Sequence, residues 1–282
     1  MKLSGSRILI TGAGGGIGRA LVAELLAQGA DVLLTGRTAA TLQNALDAAG
    51  ASPERASFVV ADITDALERE RLCELARQWH GGIDVLINNA GISPFGLLQD
   101  ASPGAAEQSF LTNVIAPIEL CRSLLPHLKQ QGAAQIVNIG SALGSIGLAG
   151  NTIYCATKFG LRGFSEALRR ELGDTNVDVR HFAPRATRTA INSPAAIATN
   201  EALGVAMDDP ADVARQIVAL MQSRRRTAVL GWPEKVFARI NALWPSLVDR
   251  AVATQLPIVN REARAKARSR SVATSSSWRK AV

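Results

Sequence analysis

The chain has few of the residues that build disulfide frameworks and metal sites. Its 282 residues include only three cysteines and three histidines. Cys73, Cys121 and Cys155 form no C-x-x-C pair and are odd in number, which argues against a disulfide framework and favours a reducing compartment. The histidines are scattered without the spacing of metal ligands. We therefore expect no metal, free thiols and a cytoplasmic protein.

The sequence also lacks targeting and nucleic-acid-binding patterns. The N-terminus has no charged-then-apolar pattern of a signal peptide, so we expect folded structure from the first residues. The uncharged run at 130–157 contains polar residues and glycines that a lipid-exposed helix would not carry. Of the net charge of +7, +6 lies from Asn260 onward, and the chain has one tyrosine. The body therefore offers no basic, aromatic-rich surface for nucleic acid.

Predicted strands and helices alternate along the chain. The composition, 47% hydrophobic and 20% charged, is that of a globular protein. The predicted strands lie at 7–11, 31–36, 57–62, 84–91, 134–140, 177–184 and 227–231. Alternation of this kind indicates βαβ units. The sequence therefore predicts an α/β fold, with a single Rossmann-type, doubly wound parallel sheet of about seven strands over residues 1–231 and helices on both faces.

The first predicted strand runs into a glycine-rich turn that opens a helix. Gly12, Gly14, Gly15, Gly16 and Gly18 would let the backbone approach a pyrophosphate, which would then sit on the positive N-terminus of the helix. A flexible turn is the alternative. The position between a strand and a helix favours dinucleotide binding.

The candidate chemistry is concentrated between Ser141 and Lys158. Tyr154 and Lys158 are four residues apart in a helical pattern, so they share one helix face. A tyrosine has a free pKa near about 10, and a neighbouring cation favours the phenolate, so we expect Lys158 to lower the pKa of Tyr154. Carbonyl reduction needs an acid and a hydrogen-bond donor, roles that suit Tyr154 and Ser141. For this short motif alone, an accidental pair on a solvated face is the alternative.

Taken together, these motifs resemble the classical short-chain dehydrogenase/reductase family. The motifs are T-G-x-x-x-G-I-G at 11–18, Asp62 after the third strand, N-N-A-G at 88–91, Asn113, Ser141 and Tyr154-x-x-x-Lys158. They occur in the family's order and spacing over residues 1 to about 230. The resemblance implies a sheet that binds NAD(H) or NADP(H), an oxidoreductase activity and a small-molecule carbonyl or alcohol substrate.

The resemblance also implies roles for particular residues. The catalytic tetrad would be Asn113, Ser141, Tyr154 and Lys158, with Lys158 also binding the nicotinamide ribose. Further cofactor contacts would come from the glycine turn with Ile17, and from Asp62, Ile63, Asn89, Ala90, Gly91, Tyr154, Pro184 and Thr189. Asp62 would meet the adenine.

The residues after the second strand indicate the phosphorylated form of the cofactor. No carboxylate stands between Gly36 and Asp47, whereas Arg37 offers a planar charged fork that suits a 2′-phosphate. A solvated loop charge is the alternative for Arg37. We predict an NADP(H)-dependent oxidoreductase acting on a carbonyl or secondary alcohol, with a hydrophobic ketone or 3-oxoacyl-type substrate. A catalytically silent nucleotide- or partner-binding protein on the same fold is the other hypothesis.

The loop after the sixth predicted strand departs from the family's pattern. The family commonly follows its sixth strand with Pro-Gly-x-x-x-Thr, and here Arg185 stands in the glycine position between Pro184 and Thr189. Arg185 could face the substrate or a cofactor phosphate.

Pro117 has no N–H to bond the carbonyl of Asn113, so it predicts a kink that frees this carbonyl for a water in a proton relay. A simple helix break is the alternative.

The C-terminal region extends beyond the last predicted strand. Apolar residues over 232–260 repeat at helical spacing, interrupted at Pro245, which predicts an amphipathic helical extension. This extension could pack on the body or on a second subunit. It could instead form a hydrophobic flap, or a peripheral membrane anchor helped by the basic tail. Residues 261–282 are predicted to be a basic, disordered tail.

A stripe of small residues follows Tyr154 along its predicted helix. Ala156, Gly160, Gly163 and Ala167 would let another helix approach closely. Members of the family commonly pair long helices across a two-fold axis. We therefore predict a homodimer or homotetramer.

Overall fold

The chain forms one parallel sheet of seven strands. The computed structural model describes the backbone of residues 1–278 and the side chains of residues 1–232 and 235–267. The strands are β1 Arg7–Thr11, β2 Asp31–Gly36, β3 Ala56–Val60, β4 Val85–Asn88, β5 Ala134–Ile139, β6 Val177–Ala183 and β7 Thr227–Val229. Their order is β3-β2-β1-β4-β5-β6-β7, with every neighbouring pair parallel. The predicted Rossmann-type sheet is confirmed.

The strand order reverses between β1 and β4, where ligands bind in open sheets of this kind. Helices cover both faces of the sheet. They are α1 Gly16–Ala27, α2 Ala39–Ala48, α3 Ala66–Gln78, α4 Ala105–Phe110, α5 Ala116–Leu128, α6 Thr152–Glu171, α7 Pro194–Ala202, α8 Pro210–Gln222, α9 Trp232–Leu243, α10 Pro245–Ala253 and α11 Leu256–Trp278. One core joins the sheet to α1, α2 and α8, and a second core joins it to α3, α5 and α6. Because both faces are covered, a central strand such as β5 is buried along its whole length.

The helical region between β4 and β5 contains an irregular turn. A π-helical turn, Leu111–Ile115, separates α4 from α5, and Pro117 stands in the first turn of α5. Because proline cannot donate the backbone hydrogen bond of a regular helix, the wider turn falls just before it. Asn113 lies inside this turn. The helix is therefore irregular where the missing N–H of Pro117 predicts a kink, and the water held by the Asn113 carbonyl stays a prediction.

The C-terminal region is helical over its whole described length. The predicted amphipathic segment forms α9 and α10, which are separated at the predicted break before Pro245. The tail differs from the predicted disorder, since α11 continues from Leu256 to Trp278. Its alanines alternate with Glu, Arg and Lys, which are strong helix formers, and Val259 and Ala263 are buried. Residues 279–282 lie outside the described residues, and the division of the chain at 231 and 260 stays a prediction.

The described helices show no membrane-crossing character. None of those within residues 1–278 combines the length and the apolar composition that a bilayer span requires.

Candidate active site

Thr11 joins the glycine turn to the loop after β4. Its Oγ1 accepts hydrogen bonds from the N–H groups of Asn89 and Ala90, both at 3.0 Å. The Asn89 side-chain amide returns hydrogen bonds to the carbonyls of Thr11 at 3.0 Å and Gly12 at 3.1 Å. The N-N-A-G loop is therefore fixed against the turn. Sequence reasoning quoted Thr11 in the motif but gave it no role.

The glycine turn fits a dinucleotide in its backbone geometry. Gly12 has a φ of 64°, and a Cβ at this position would lie 2.8 Å from the Cα of Ala90. A Cβ at Gly18 would collide with the carbonyl oxygen of Gly12. The N-cap of α1 is Gly15, which has no side chain to satisfy the first N–H groups of the helix. These N–H groups and the helix dipole suit a pyrophosphate.

The loop after β6 lies against the same turn. A Cβ at Gly16 would lie 2.8 Å from the Cβ of Thr189, so Thr189 is placed beside the predicted pyrophosphate position. The carbonyl of Pro184 accepts a hydrogen bond from the N–H of Ala142 at 2.8 Å, which ties this loop to the segment after Ser141. The structure therefore brings the predicted contacts Pro184 and Thr189 to the site.

Arg185 pairs with an acidic residue of the neighbouring segment. Its Nη2 lies 2.6 Å from Oδ1 of Asp208, and its Nε lies 2.9 Å from Oδ2. The N–H of Asp208 also donates to the carbonyl of Ala186 at 2.8 Å. Arg185 thus fastens the loop to the segment before α8. The ion pair with Asp208 accounts for the position of Arg185 without a contact to the substrate or to a cofactor phosphate.

The predicted adenosine contacts follow β2 and β3. Oδ1 of Asp62 accepts hydrogen bonds from the N–H of Thr64 at 2.9 Å and from its Oγ1 at 2.7 Å. Burial acts to raise the pKa of Asp62, but the Thr64 hydrogen bonds and the charge of Arg37 lower it overall. Arg37 itself is exposed. The side chain of Ile63 belongs to the core, so only its backbone is left to meet a cofactor.

Asn113 is fully buried and its side chain is engaged by the protein. Its Oδ1 accepts the N–H of Ile92 at 2.9 Å, and its Nδ2 donates to the carbonyl of Ile92 at 2.9 Å and to Oγ1 of Thr157 at 3.0 Å. This arrangement ties the loop after β4 to α6. The sequence did not predict the role of Thr157, because a single threonine in a helical pattern belongs to no recognisable motif.

Ser141, Tyr154 and Lys158 meet at the carboxyl edge of the sheet. Ser141 caps a short 3₁₀ turn, its Oγ accepting the N–H of Leu143 at 3.1 Å, and it hydrogen-bonds to Tyr154. Nζ of Lys158 donates to the carbonyl of Ile139 at 3.0 Å and lies 5.7 Å from the centre of the Tyr154 ring. The predicted grouping of serine, tyrosine and lysine is therefore present.

The electrostatics of this pair differ from the expectation. Burial raises the pKa of Tyr154 to about 12, and the hydrogen bond with Ser141 offsets only part of this rise. Burial also lowers the pKa of Lys158 to about 8. The expectation that Lys158 lowers the tyrosine pKa is therefore corrected: the largest influence on the pKa of each group is the removal of water by burial. Tyr154 keeps its proton at neutral pH, which is the state of a general acid.

The C-terminal extension reaches the loops that border the site. Phe95, Val259 and Ala263 form a small buried cluster, packed against Leu97 and α7. Gly150, with a φ of 78°, lies where a Cβ would be 2.8 Å from Phe95 and 2.9 Å from Val259. The N–H of Gly96 donates to the carbonyl of Gly150 at 2.8 Å. The sequence did not predict this cluster, since its members are ordinary apolar residues from distant segments.

Among the described residues, no group of three or more histidine, cysteine or acidic side chains could hold a metal ion.

A Rossmann-type sheet with a glycine cradle beside a serine, a tyrosine and a lysine defines a nicotinamide-dependent oxidoreductase scaffold. The family model described as short chain dehydrogenase matches residues 6–199. The chain belongs to the short-chain dehydrogenase/reductase family. This membership makes it an oxidoreductase of carbonyl and alcohol groups that uses a nicotinamide cofactor.

Three known proteins illustrate the similarity. Ketoacyl reductase HetN of Nostoc sp. is 29% identical over 255 residues, which covers 88% of this chain and 88% of the relative. A short-chain dehydrogenase/reductase of Burkholderia phymatum, solved with NAD, has a TM-score of 0.80 at 23% identity and covers 88% of this chain and 96% of its own. A short-chain dehydrogenase of Burkholderia cenocepacia, solved with NADP, has a TM-score of 0.77 at 23% identity and covers 89% and 99%.

Replacing Tyr154 by phenylalanine tests the acid. Tyr154→Phe should lower turnover by about two to four orders of magnitude, because a positioned proton donor is lost. Cofactor binding, measured by fluorescence titration, should stay intact and serves as the control for folding. Near-full turnover with a ketone that the unaltered enzyme reduces would contradict the assignment.

The pH dependence of reduction tests Lys158. Because burial lowers its pKa to about 8, Lys158 is charged below that pH and neutral above it, while Tyr154 stays protonated until about 12. We expect kcat/KM for ketone reduction to fall as the pH rises through about 8, with the loss of one proton. Lys158→Arg, whose charge does not titrate in this range, should move the fall to higher pH. A flat profile of the unaltered enzyme up to the alkaline limit of its stability would exclude this role.

Proposed function

We propose that the protein is an NADP(H)-dependent oxidoreductase that transfers a hydride between the nicotinamide and a carbonyl or secondary alcohol. The observation that carries the proposal is the meeting of Ser141, Tyr154 and Lys158 beside the glycine turn. Its physiological substrate would be a hydrophobic ketone or a 3-oxoacyl-type compound. A catalytically silent nucleotide- or partner-binding role on the same fold is the rival hypothesis, and the intact tetrad argues against it.

Each residue of the tetrad would have its own role in the reduction of a carbonyl. The nicotinamide would supply or accept the hydride when bound. Ser141 would donate a hydrogen bond that polarises the substrate oxygen, and Tyr154 would give this oxygen its proton. Lys158, held by the carbonyl of Ile139, would stabilise the tyrosinate that is left. Asn113 would act by positioning, because its side chain fixes the loop at Ile92 against α6.

The choice of NADP(H) rests on Arg37. It is exposed at the carboxyl end of β2, next to Gly36, where an acidic residue would bind the ribose hydroxyls and repel a 2′-phosphate. Its charge lowers the pKa of Asp62, the residue predicted to contact the adenine, so Arg37 acts on the predicted adenosine region. The two solved relatives contain NAD in one case and NADP in the other, so they favour neither form.

Reversing the charge at Arg37 tests this choice. Arg37→Asp should lower the ratio of kcat/KM for NADPH to that for NADH by about one to two orders of magnitude, because a paired phosphate contact of about 1.5 to 3 kcal/mol is lost. Arg71→Asp makes the same charge change at an exposed position on α3 and should leave the ratio unchanged. Equal or better efficiency with NADH in the unaltered enzyme would overturn the proposal for NADP(H).

The proposal of a hydrophobic substrate is supported by a buried apolar cluster next to the loops of the site. Phe95, Val259 and Ala263 bring apolar side chains from two distant segments together beside the loops that border Ser141. The Nostoc relative is named for ketoacyl reduction, a reaction on a ketone attached to an acyl chain. The flap interpretation of the extension agrees with this arrangement, since α11 contributes two of the three residues.

Trimming Val259 tests the role of this cluster. Val259→Ala should change the ratio of kcat/KM between long-chain and short-chain ketones by roughly five- to tenfold, the usual worth of one or two methylenes in a pocket. Val252→Ala makes the same change on α10, where the side chain is only partly buried, and should not alter the ratio. An equal loss on both ketones with Val259→Ala would mean that the residue acts only in folding.

One face of α6 is exposed and lined by small residues. On α6 the residues Ala156, Gly160, Gly163 and Ala167 are exposed, and Phe159 beside them is 42% exposed. A helix face of this kind supports the predicted homodimer or homotetramer. The three cysteines are free and buried, in agreement with the predicted cytoplasmic location. The C-terminal extension offers a second exposed face of different chemistry.

A further inference from the structure

We propose that α9 and α10 bind the surface of a bilayer that contains anionic lipids. The surface in question, the α9–α10 face, comprises Trp232, Val236, Phe237, Leu243, Trp244 and Leu247, all of which are exposed. This function is separate from the oxidoreductase activity and involves none of its residues.

The α9–α10 face is unusual within this protein. In the described part of the chain, fifteen large hydrophobic residues are exposed, and seven of them lie between Trp232 and Leu256. Trp232 is 76% exposed and Trp244 is 60% exposed, although tryptophan is a residue that folding normally covers. Scattered apolar residues need no explanation, but a cluster of this size marks an interaction site.

The body of the protein leaves this face uncovered. Among the described side chains of α9 none is buried, and in α10 Val248 alone is buried. The extension is nevertheless attached, because Nδ2 of Asn241 donates to the carbonyl of Ser145 at 3.1 Å. Val236 and Leu243 follow Trp232 at spacings of four and seven residues, which place the three on one side of α9, and Leu247 is exposed on α10. The attachment therefore presents an apolar stripe to the outside.

The charge of the C-terminal region indicates which kind of partner the α9–α10 face would bind. Residues 1–231 contain 21 basic and 21 acidic residues, whereas residues 232–282 contain ten basic and three acidic ones. The whole net charge of +7 therefore belongs to the C-terminal region. Residues 232–253, which form α9 and α10, carry three basic and two acidic residues, and the other +6 follows in residues 261–282. A neutral body with a basic, apolar appendage matches a negatively charged, amphiphilic surface.

A lipid surface fits better than a second copy of the chain. A two-fold contact through this face would bring together two C-terminal regions (residues 232–282) that each carry a net charge of +7, which opposes their association. Indole rings, in contrast, favour the interface between headgroups and acyl chains, and basic residues favour anionic headgroups. Since no described helix is long and apolar enough to cross a bilayer, the contact would stay on its surface.

Vesicle co-sedimentation of the full chain tests the proposal. Vesicles of phosphatidylcholine alone are compared with vesicles of phosphatidylcholine and phosphatidylglycerol, at low and high ionic strength. We expect binding to the mixed vesicles that weakens with salt, together with a blue shift of tryptophan emission. The double variant Trp232→Gln, Trp244→Gln should lower the partition coefficient about tenfold or more, because two indole side chains leave the interface.

The controls separate this outcome from others. Leu67→Gln removes an apolar side chain that is 77% exposed on α3, and it should bind vesicles like the unaltered protein. Ketone reduction in solution should be unchanged in all variants, so failure of the vesicle test leaves the proposed activity untouched. Absence of binding to the anionic vesicles would overturn the proposal. So would an unchanged partition coefficient in the double tryptophan variant, or dissociation of an oligomer by that variant in sedimentation velocity.

Discussion

The seam between β1 and β4 is the constraint on which the rest of the site depends. The strand order reverses there, so the connections that follow β1 and β4 leave in opposite directions and a crevice forms outside the carboxyl ends of these paired strands. Thr11 holds the crevice in shape, because its Oγ1 accepts two backbone N–H groups of the opposite loop. Each such bond contributes only about 0.5 to 1.5 kcal/mol, but a buried N–H without a partner costs about 1 to 3 kcal/mol. The close approach of Gly12 to Ala90 is possible because Gly12 has no Cβ.

A second set of polar contacts fixes α6, the helix that carries the tyrosine and the lysine, to this seam. Nδ2 of Asn88 donates to Oδ1 of Asn138 at 2.8 Å, and Nδ2 of Asn138 donates to Oγ of Ser165 at 2.8 Å. These bonds run from β4 through β5 to the middle of α6. Asn113 adds a contact one helical turn from Tyr154, through Thr157. Buried hydrogen bonds are directional, so they set the rotation of α6 more closely than apolar packing would.

Sequence patterns predicted the parts of this arrangement that follow from local rules. The apolar strand before the glycine turn predicted β1, its turn and α1, and the absent N–H of Pro117 predicted the break that places Asn113 in a π turn. The sequence could not predict which polar groups meet across the fold. Thr157, Asn241 and Val259 reach the site region from segments far apart, and only the packed structure brings them together.

The electrostatic error has the same origin. From the sequence, Tyr154 and Lys158 are two groups at helical spacing, and attraction between them is the only effect that can be inferred. Burial depends on what other segments cover, and it dominates here. The pKa of Lys158 is lowered from an ordinary 10.5 to about 8, so the folded chain binds fewer protons than the unfolded chain between these values. The cost of burying the ammonium is therefore present below about pH 8 and is relieved as the pH rises toward 10.5. At neutral pH the fold therefore retains a charge that destabilises it, and in the proposed mechanism this charge would stabilise the tyrosinate.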